Sequence, residues 1–216
     1  MILKLILVLL SFIFAYLFSI LPRRSMRRRM EKYHQTMFAH RGYHCIEKGI
    51  PENSMSSFQA AVDHNYGIEL DLHLTYDGIE LKIPKHSLKI CEKTYELLKI
   101  YHGDYLVQSF NSLGIWWFRI HAPEILRGQL SSRLTKEKLK EPWLLCFLTE
   151  KLVCNLFSRP DFISYKLKDL PTFPVSFLRT AFHTPVAVWT LRTREALKEG
   201  SKQYDMQIFE KHSKNY

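Results

Sequence analysis

The chain has 216 residues, 46% of them hydrophobic and 13% aromatic, enough for one domain of ordinary size with its own core plus an appendage. Its 31 Lys and Arg outnumber 21 Asp and Glu by ten, but residues 1–34 hold seven of those bases against one acid, which leaves only +4 for the remainder. A surplus this local, with no recognition module beside it, does not read as nucleic-acid binding.

The appendage is the uncharged run of 18 residues between Lys4 and Arg23, LILVLLSFIFAYLFSILP. At about 1.5 Å per helical residue it comes close to the roughly 30 Å hydrocarbon core of a bilayer. It is long for a signal-peptide core, and Ser19-Ile20-Leu21-Pro22 offers no small-x-small cleavage site. The expectation is therefore a transmembrane helix over residues 1–22, then a basic juxtamembrane linker over 23–35 that meets anionic lipid. One Lys precedes the span and Arg23, Arg24, Arg27, Arg28, Arg29 and Lys32 follow it, so the positive-inside rule puts the domain, residues 36–216, in the cytoplasm. Cys45, Cys91, Cys146 and Cys154 form no CxxC pair and have no companion His at zinc spacing, which suits free thiols in a reducing compartment.

From residue 36 onward strands and helices alternate. A first strand over 37–39 ends in His40-Arg41-Gly42. The loop 43–53 holds Gly49 and Pro51 and delivers Ser54 as the N-cap of an amphipathic helix over 55–65. A strand over 67–75 presents Glu69, Asp71 and His73 on one face and closes in the turn Asp77-Gly78. Next come a short strand over 79–83, a helix over 88–101, a strand over 105–110, a helix over 112–122 and a strand over 127–130. A helical tract over 135–157 precedes a strand over 162–165, a helix over 174–181, a strand over 186–190, a helix over 194–201 and a last strand over 206–209. Near eight strands alternating with helices predict a mostly parallel α/β fold, a TIM-like barrel. The apolar tract Glu141 to Phe157 has the composition to lie on a membrane, but Glu150-Lys151 interrupts it and it is too short to span, so a barrel helix packed on strands is the preferred reading.

His40-Arg41-Gly42, Pro51-Glu52-Asn53-Ser54 with Phe58 and Ala61, Glu69-x-Asp71 and Thr75-x-Asp77-Gly78 stand in the order and at the spacing of the glycerophosphodiester phosphodiesterase family, which the chain resembles from about residue 36 to 210. The resemblance implies a TIM barrel and a phosphoric diester hydrolase of lipid metabolism that cleaves glycerophosphodiesters to glycerol 3-phosphate and an alcohol. It implies His40 as a catalytic acid or base, Arg41 and Lys82 on the phosphate, and Glu69, Asp71 and Glu80 on a divalent metal, Mg²⁺ or Ca²⁺. The residue chemistry agrees: carboxylates are hard ligands, guanidinium clamps phosphate, and imidazole moves protons near neutral pH.

The chain departs from the family at one place. The family's Thr-x-Asp-Gly turn leads into a strand ending in His-Asp, whereas here Asp77-Gly78 runs straight into Ile79-Glu80-Leu81-Lys82, which matches the later strand carrying the last glutamate. Two turn residues permit only an antiparallel hairpin, not a parallel crossover, so the barrel is expected to be incomplete or distorted between its second and third strands. His86 follows Pro84-Lys85 with no Asp after it and does not inherit the missing role. A second reading follows, an internally deleted derivative that binds phosphate or a lipid headgroup with impaired turnover or persists without function. Glu52 and Asn53 read as loop-fixing residues, Trp189 as a rim or core aromatic, and His44, His73 and His183 as ordinary.

Overall fold

The computed structural model describes residues 1–25, 27–71, 88–137 and 141–210. Helix α1 is Ile2–Ser19, and the single turn α2 is Arg27–Met30. Strand β1 (Thr36–His40), helix α3 (Met55–Asp63) and strand β2 (Gly67–Glu69) follow. After α4 (Lys89–Lys99) the order is β3 (Val107–Ser109), α5 (Ser112–His121), β4 (Arg127–Ser131), α6 (Trp143–Glu150) and α7 (Asn155–Ser158). The chain continues through β5 (Phe162–Lys166), α8 (Phe173–Phe182), β6 (Val186–Leu191), α9 (Arg194–Gln203) and β7 (Met206–Phe209).

The seven described strands form one sheet in the order β2-β1-β7-β6-β5-β4-β3, with every pair parallel. Among the described residues this is a curled TIM-like half-barrel whose edge strands are β2 and β3; the distortion expected between the strands 67–75 and 79–83 falls outside them. Residues 72–87, which hold the predicted strand 79–83, lie outside the described residues.

Most element positions agree with the sequence pattern. Ser54 caps α3 as expected, with the Ser57 N–H donating to Ser54 Oγ at 3.3 Å. The helical tract 135–157 is instead broken: a short 3-10 turn, Leu134–Lys136, precedes α6, and α6 is separated from α7. The break falls at Leu152, which takes a left-handed φ of 59° and buries its side chain completely. Tertiary burial overrides helix propensity there.

Strand alternation sorts the sheet into two faces. Phe38, Phe162, Ala187, Met206 and Ile208 fill the inside with Leu126, Tyr33 and Met30. Ala39, Ile163, Tyr165, Val186, Val188 and Phe209 face outward, against helix residues such as Leu178 and Val175. Cys91 and Cys146 are buried and all four cysteines are free.

The amino-terminal segment is part of this packing. Ile20 is fully buried in the outer core beside Leu152 and Ile163, and its carbonyl accepts from Asn155 Nδ2 at 3.1 Å. Arg23 then closes on Asp161 with two 2.6 Å contacts, and its Nη1 donates to the Pro123 carbonyl. Asp161 also accepts the Arg127 N–H at 2.9 Å. Met30 and Tyr33 plug the amino-terminal end of the barrel from inside.

Because the Asp161 side chain is only 1% exposed, Arg23→Ala leaves a buried carboxylate without its counter-charge, at an expected cost of about 3 kcal/mol. The exposed Arg28→Ala is expected to change stability by less than about 0.5 kcal/mol. Chemical denaturation of the full chain in detergent checks this, and equal midpoints for the two variants would contradict a clasp at Arg23.

Candidate active site

In a parallel sheet all strands deliver their carboxyl ends to one rim, and inward-facing residues at those ends converge. β1 ends in His40, on the same face as Phe38, and pairs in register with Glu69 of β2. His40 Nε2 lies 4.0 Å from Glu69 Oε2, and its Nδ1 lies 3.4 Å from Oε2 of Glu210, just beyond β7. Arg192, after β6, holds Glu210 with Nε and Nη2 each at 2.9 Å.

Immediately after β1 the chain turns sharply. Arg41 has φ 56° and Gly42 φ 80°, a left-handed pair that is costly at the arginine and natural at the glycine. A Cβ on Gly42 would come within 2.8 Å of the Ser57 carbonyl carbon, so the first turn of α3 sits directly on this loop. Ser57 Oγ donates to the Arg41 carbonyl at 3.1 Å, and Asn53 N–H donates to the same carbonyl at 2.8 Å. The Arg41 N–H points at Glu69 Oε2, 3.4 Å away. Its guanidinium pairs with Asp71 (Nε to Oδ2, 2.8 Å) and Glu52 (Nη1 to Oε1, 2.9 Å).

His40, Arg41, Glu69 and Asp71 are thus brought together as the sequence expects, whereas Glu80 and Lys82 lie outside the described residues. Asn53 acts as the loop-fixing residue anticipated: its amide exchanges two hydrogen bonds with the Asp71 backbone, at 3.0 and 3.1 Å. Among the described residues no group of three His, Cys, Asp or Glu gathers at metal spacing, and Asp71 is already engaged by Arg41.

The rim holds further groups that sequence reasoning did not single out. Gln108 of β3 donates to Glu69 Oε1 at 3.4 Å, so β2 and β3, the edge strands among the described residues, approach each other at the mouth. Lys166, at the end of β5 and on the face of Phe162, pairs with Glu137 at 2.8 Å. Trp189, a rim or core aromatic by sequence, packs on the inner cluster and meets Phe110 edge-on at 5.7 Å. Glu210 had a usable signal, a charged residue directly after the last strand. Gln108 had none beyond strand alternation.

The two inner carboxylates have opposite electrostatics. Burial pushes the Glu69 carboxyl above its ordinary range and negative Asp71 adds to this, against the opposing pull of His40 and the Arg41 N–H. Burial acts on Glu210 in the same sense, but the hydrogen bond from Arg192 and the charges of Arg192, His40 and His44 outweigh it and hold that carboxyl below its usual range. A carboxylate whose folded pKa is raised binds its proton more tightly in the fold than in the unfolded chain. Stability contributed by Glu69 is therefore present below its unfolded pKa and is lost as pH rises through the raised value. Glu69→Gln is expected to remove that loss, so its stability relative to wild type improves from pH 4 to pH 7, as read by denaturant midpoints. A constant difference across that range would contradict the assignment.

Comparison with known proteins agrees with this architecture. No family model matches the chain. Over 55 residues the chain is 47% identical to glycerophosphodiester phosphodiesterase domain-containing protein 4 of Macaca fascicularis, a match that covers 25% of this chain and 8% of that relative's length. Three solved structures share the fold over four-fifths of the chain. A candidate glycerophosphodiester phosphodiesterase from Galdieria sulphuraria has a TM-score of 0.56 at 14% identity, covering 81% of this chain and 93% of its own. An Oleispira antarctica phosphodiesterase in complex with the product sn-glycerol-3-phosphate has a TM-score of 0.54 at 16% identity, covering 82% and 94%. A glycerophosphodiester phosphodiesterase from Thermotoga maritima has a TM-score of 0.52 at 15% identity, with the same coverage. Over a quarter of its length the chain is thus similar in sequence to a glycerophosphodiester phosphodiesterase domain protein, and over four-fifths of its length it shares the barrel fold of solved glycerophosphodiester phosphodiesterases.

Proposed function

We propose that the mouth of this barrel hydrolyses a glycerophosphodiester to glycerol 3-phosphate and an alcohol, in the service of lipid metabolism. The observation that carries the reading is His40 placed between Glu69 and Glu210 and followed at once by Arg41, whose N–H points at Glu69 and whose guanidinium pairs with Asp71. Glu69 lies towards one ring nitrogen and Glu210 towards the other, and an imidazole can move a proton near neutral pH. Protonated His40 can donate to the leaving alcohol oxygen as the P–O bond breaks and water supplies the new oxygen on phosphorus. Arg41 offers a planar fork to the non-bridging phosphate oxygens. Its pairing with Asp71 and Glu52 holds it at the rim, and substrate phosphate competes for the same donors. Lys82 is the second expected phosphate-binding cation.

Glu69 and Asp71 are hard donors of the kind Mg²⁺ or Ca²⁺ takes, with Glu80 as the third expected ligand, and a cation held there supplies Lewis acidity to the phosphoryl oxygens. Within the described rim, binding and proton movement fall to His40, Arg41 and their carboxylate neighbours.

The second reading, a phosphate or headgroup binder with impaired turnover, is favoured by one observation: Asp71 is engaged by Arg41, and no three-donor group forms among the described residues. As for location, the length and apolar composition of α1 support membrane association, and the excess of arginines after it over the one Lys before it supports a cytoplasmic domain by the positive-inside rule.

The test is hydrolysis of glycerophosphocholine and bis(p-nitrophenyl) phosphate by the full chain in detergent with Mg²⁺ or Ca²⁺. His40→Ala is expected to lower the rate by a factor on the order of 10² to 10⁴. His44→Ala, whose ring also acts on Glu210, reports whether a second imidazole takes part. Folded wild type that binds glycerol 3-phosphate without turnover would favour the binder, and activity unchanged in His40→Ala would sink the hydrolytic assignment.

A further inference from the structure

The direction of α1 relative to the barrel has a consequence for how the protein meets lipid. At its carboxyl end α1 runs into Ile20 and Arg23, which are fixed to Asn155 and Asp161 at the amino-terminal end of β5. Arg24 lies over the Phe182 ring at the end of α8, 5.8 Å from its centre. One to two turns earlier, Tyr16 stacks on Phe173 at the start of α8, with ring centres 6.3 Å apart, and its hydroxyl donates to the Lys151 carbonyl. α8 follows β5 and runs back antiparallel to it, so Phe173 stands near the rim and Phe182 at the opposite end. α1 therefore lies along the barrel wall with Ile2 pointing past the same rim that holds His40 and Arg41.

The surroundings of α1 on that side are apolar. Phe12, Ile13, Tyr16, Leu17, Phe173 and Phe177 line an open groove of about 550 Å³, and Phe173 is 63% exposed. α6 adds Trp143 at 64% and Leu144 at 60% exposure. The other end of α6 is tied to the carboxyl end of β4, where Ser131 Oγ donates to the Thr149 carbonyl and Glu150 accepts from Thr135. Exposed Lys136 and Lys168 follow β4 and β5 on the same side. Aromatic and aliphatic groups flanked by lysines suit the headgroup boundary of an anionic bilayer. The exposed Arg24, Arg27 and Arg28 lie at the far end, beside the Arg23 clasp and the bottom plug.

We propose that the barrel docks rim-first on the bilayer, with α1 inserted and Trp143, Leu144 and Phe173 seated in the lipid interface, so that the mouth faces the membrane surface. The occupant of the apolar face is lipid because α1, exposed and apolar along nearly its whole length, continues that face outward. The basic run 24–28 then points away from the membrane instead of lining it. This arrangement rests on the membrane association proposed for α1 but is independent of whether the site turns substrate over.

The experiment uses the full chain reconstituted in vesicles of phosphatidylcholine and phosphatidylglycerol, with part of the lipid brominated in the upper acyl chain. Flotation reports binding and tryptophan fluorescence reports depth. Wild type is expected to float and to be quenched, Trp143→Phe to float with most of the quenching lost, and Phe173→Trp to gain quenching. Arg27→Gln with Arg28→Gln is expected to float as wild type does. Quenching retained in Trp143→Phe, or flotation lost on neutralising Arg27 and Arg28, would overturn the rim-first orientation. Failure of wild type to float would overturn it together with the membrane role of α1, while leaving the hydrolytic reading to its own assay.

Discussion

The pairing of the first barrel strand with the last is the contact on which the rest depends. Thr36 to Ala39 of β1 align with Met206 to Phe209 of β7, and β1 aligns on its other side with Gly67 to Glu69. This three-strand register places His40, Glu69 and Glu210 side by side, although they are spread across 170 residues of sequence. A slip of one residue would turn each of them to the outer face. The positive-φ turn at Arg41 and Gly42 follows from the same register, because α3 must return at once to pack Ser57 on it.

The amino-terminal segment extends this logic to the barrel wall. α7 is a single turn and covers little of β4 and β5, so Tyr16 to Ile20 supply part of the layer that a full crossover helix normally provides. The Arg23 clasp on Asp161 then fixes the direction of α1. The apolar helix and the candidate-site rim become one arrangement: the end of the barrel that holds His40 and Arg41 is the end past which α1 runs.

Much of this was legible in the sequence. Short apolar runs and helical patterns located the strands and most helices, because parallel strands buried on both faces and helices with one apolar stripe leave those two signals. The motif around His40, Glu69 and Asp71 was legible for the same reason: strand ends, a capped helix and a turn lie close together in the chain. Gln108 was not, and Glu210 showed only as a charge directly after the last strand, since their role depends on which strands become neighbours, and that is decided by tertiary pairing. The break at Leu152 was hidden because a buried leucine looks like any other helix former until its pocket is known. The packing of residues 20–33 was likewise masked, since a basic run after an apolar span has the composition of a linker whether or not it is clasped.

The central claim is that the rim formed by this register receives a phosphate ester through His40 and Arg41. Calorimetric titration of the full chain with glycerol 3-phosphate, for wild type and Arg41→Gln, measures it most directly. The account predicts saturable binding by wild type and an affinity weaker by about tenfold or more without the guanidinium, since a charge-assisted hydrogen bond contributes roughly 1.5–3 kcal/mol. Equal affinities, or no binding by folded wild type, would contradict it.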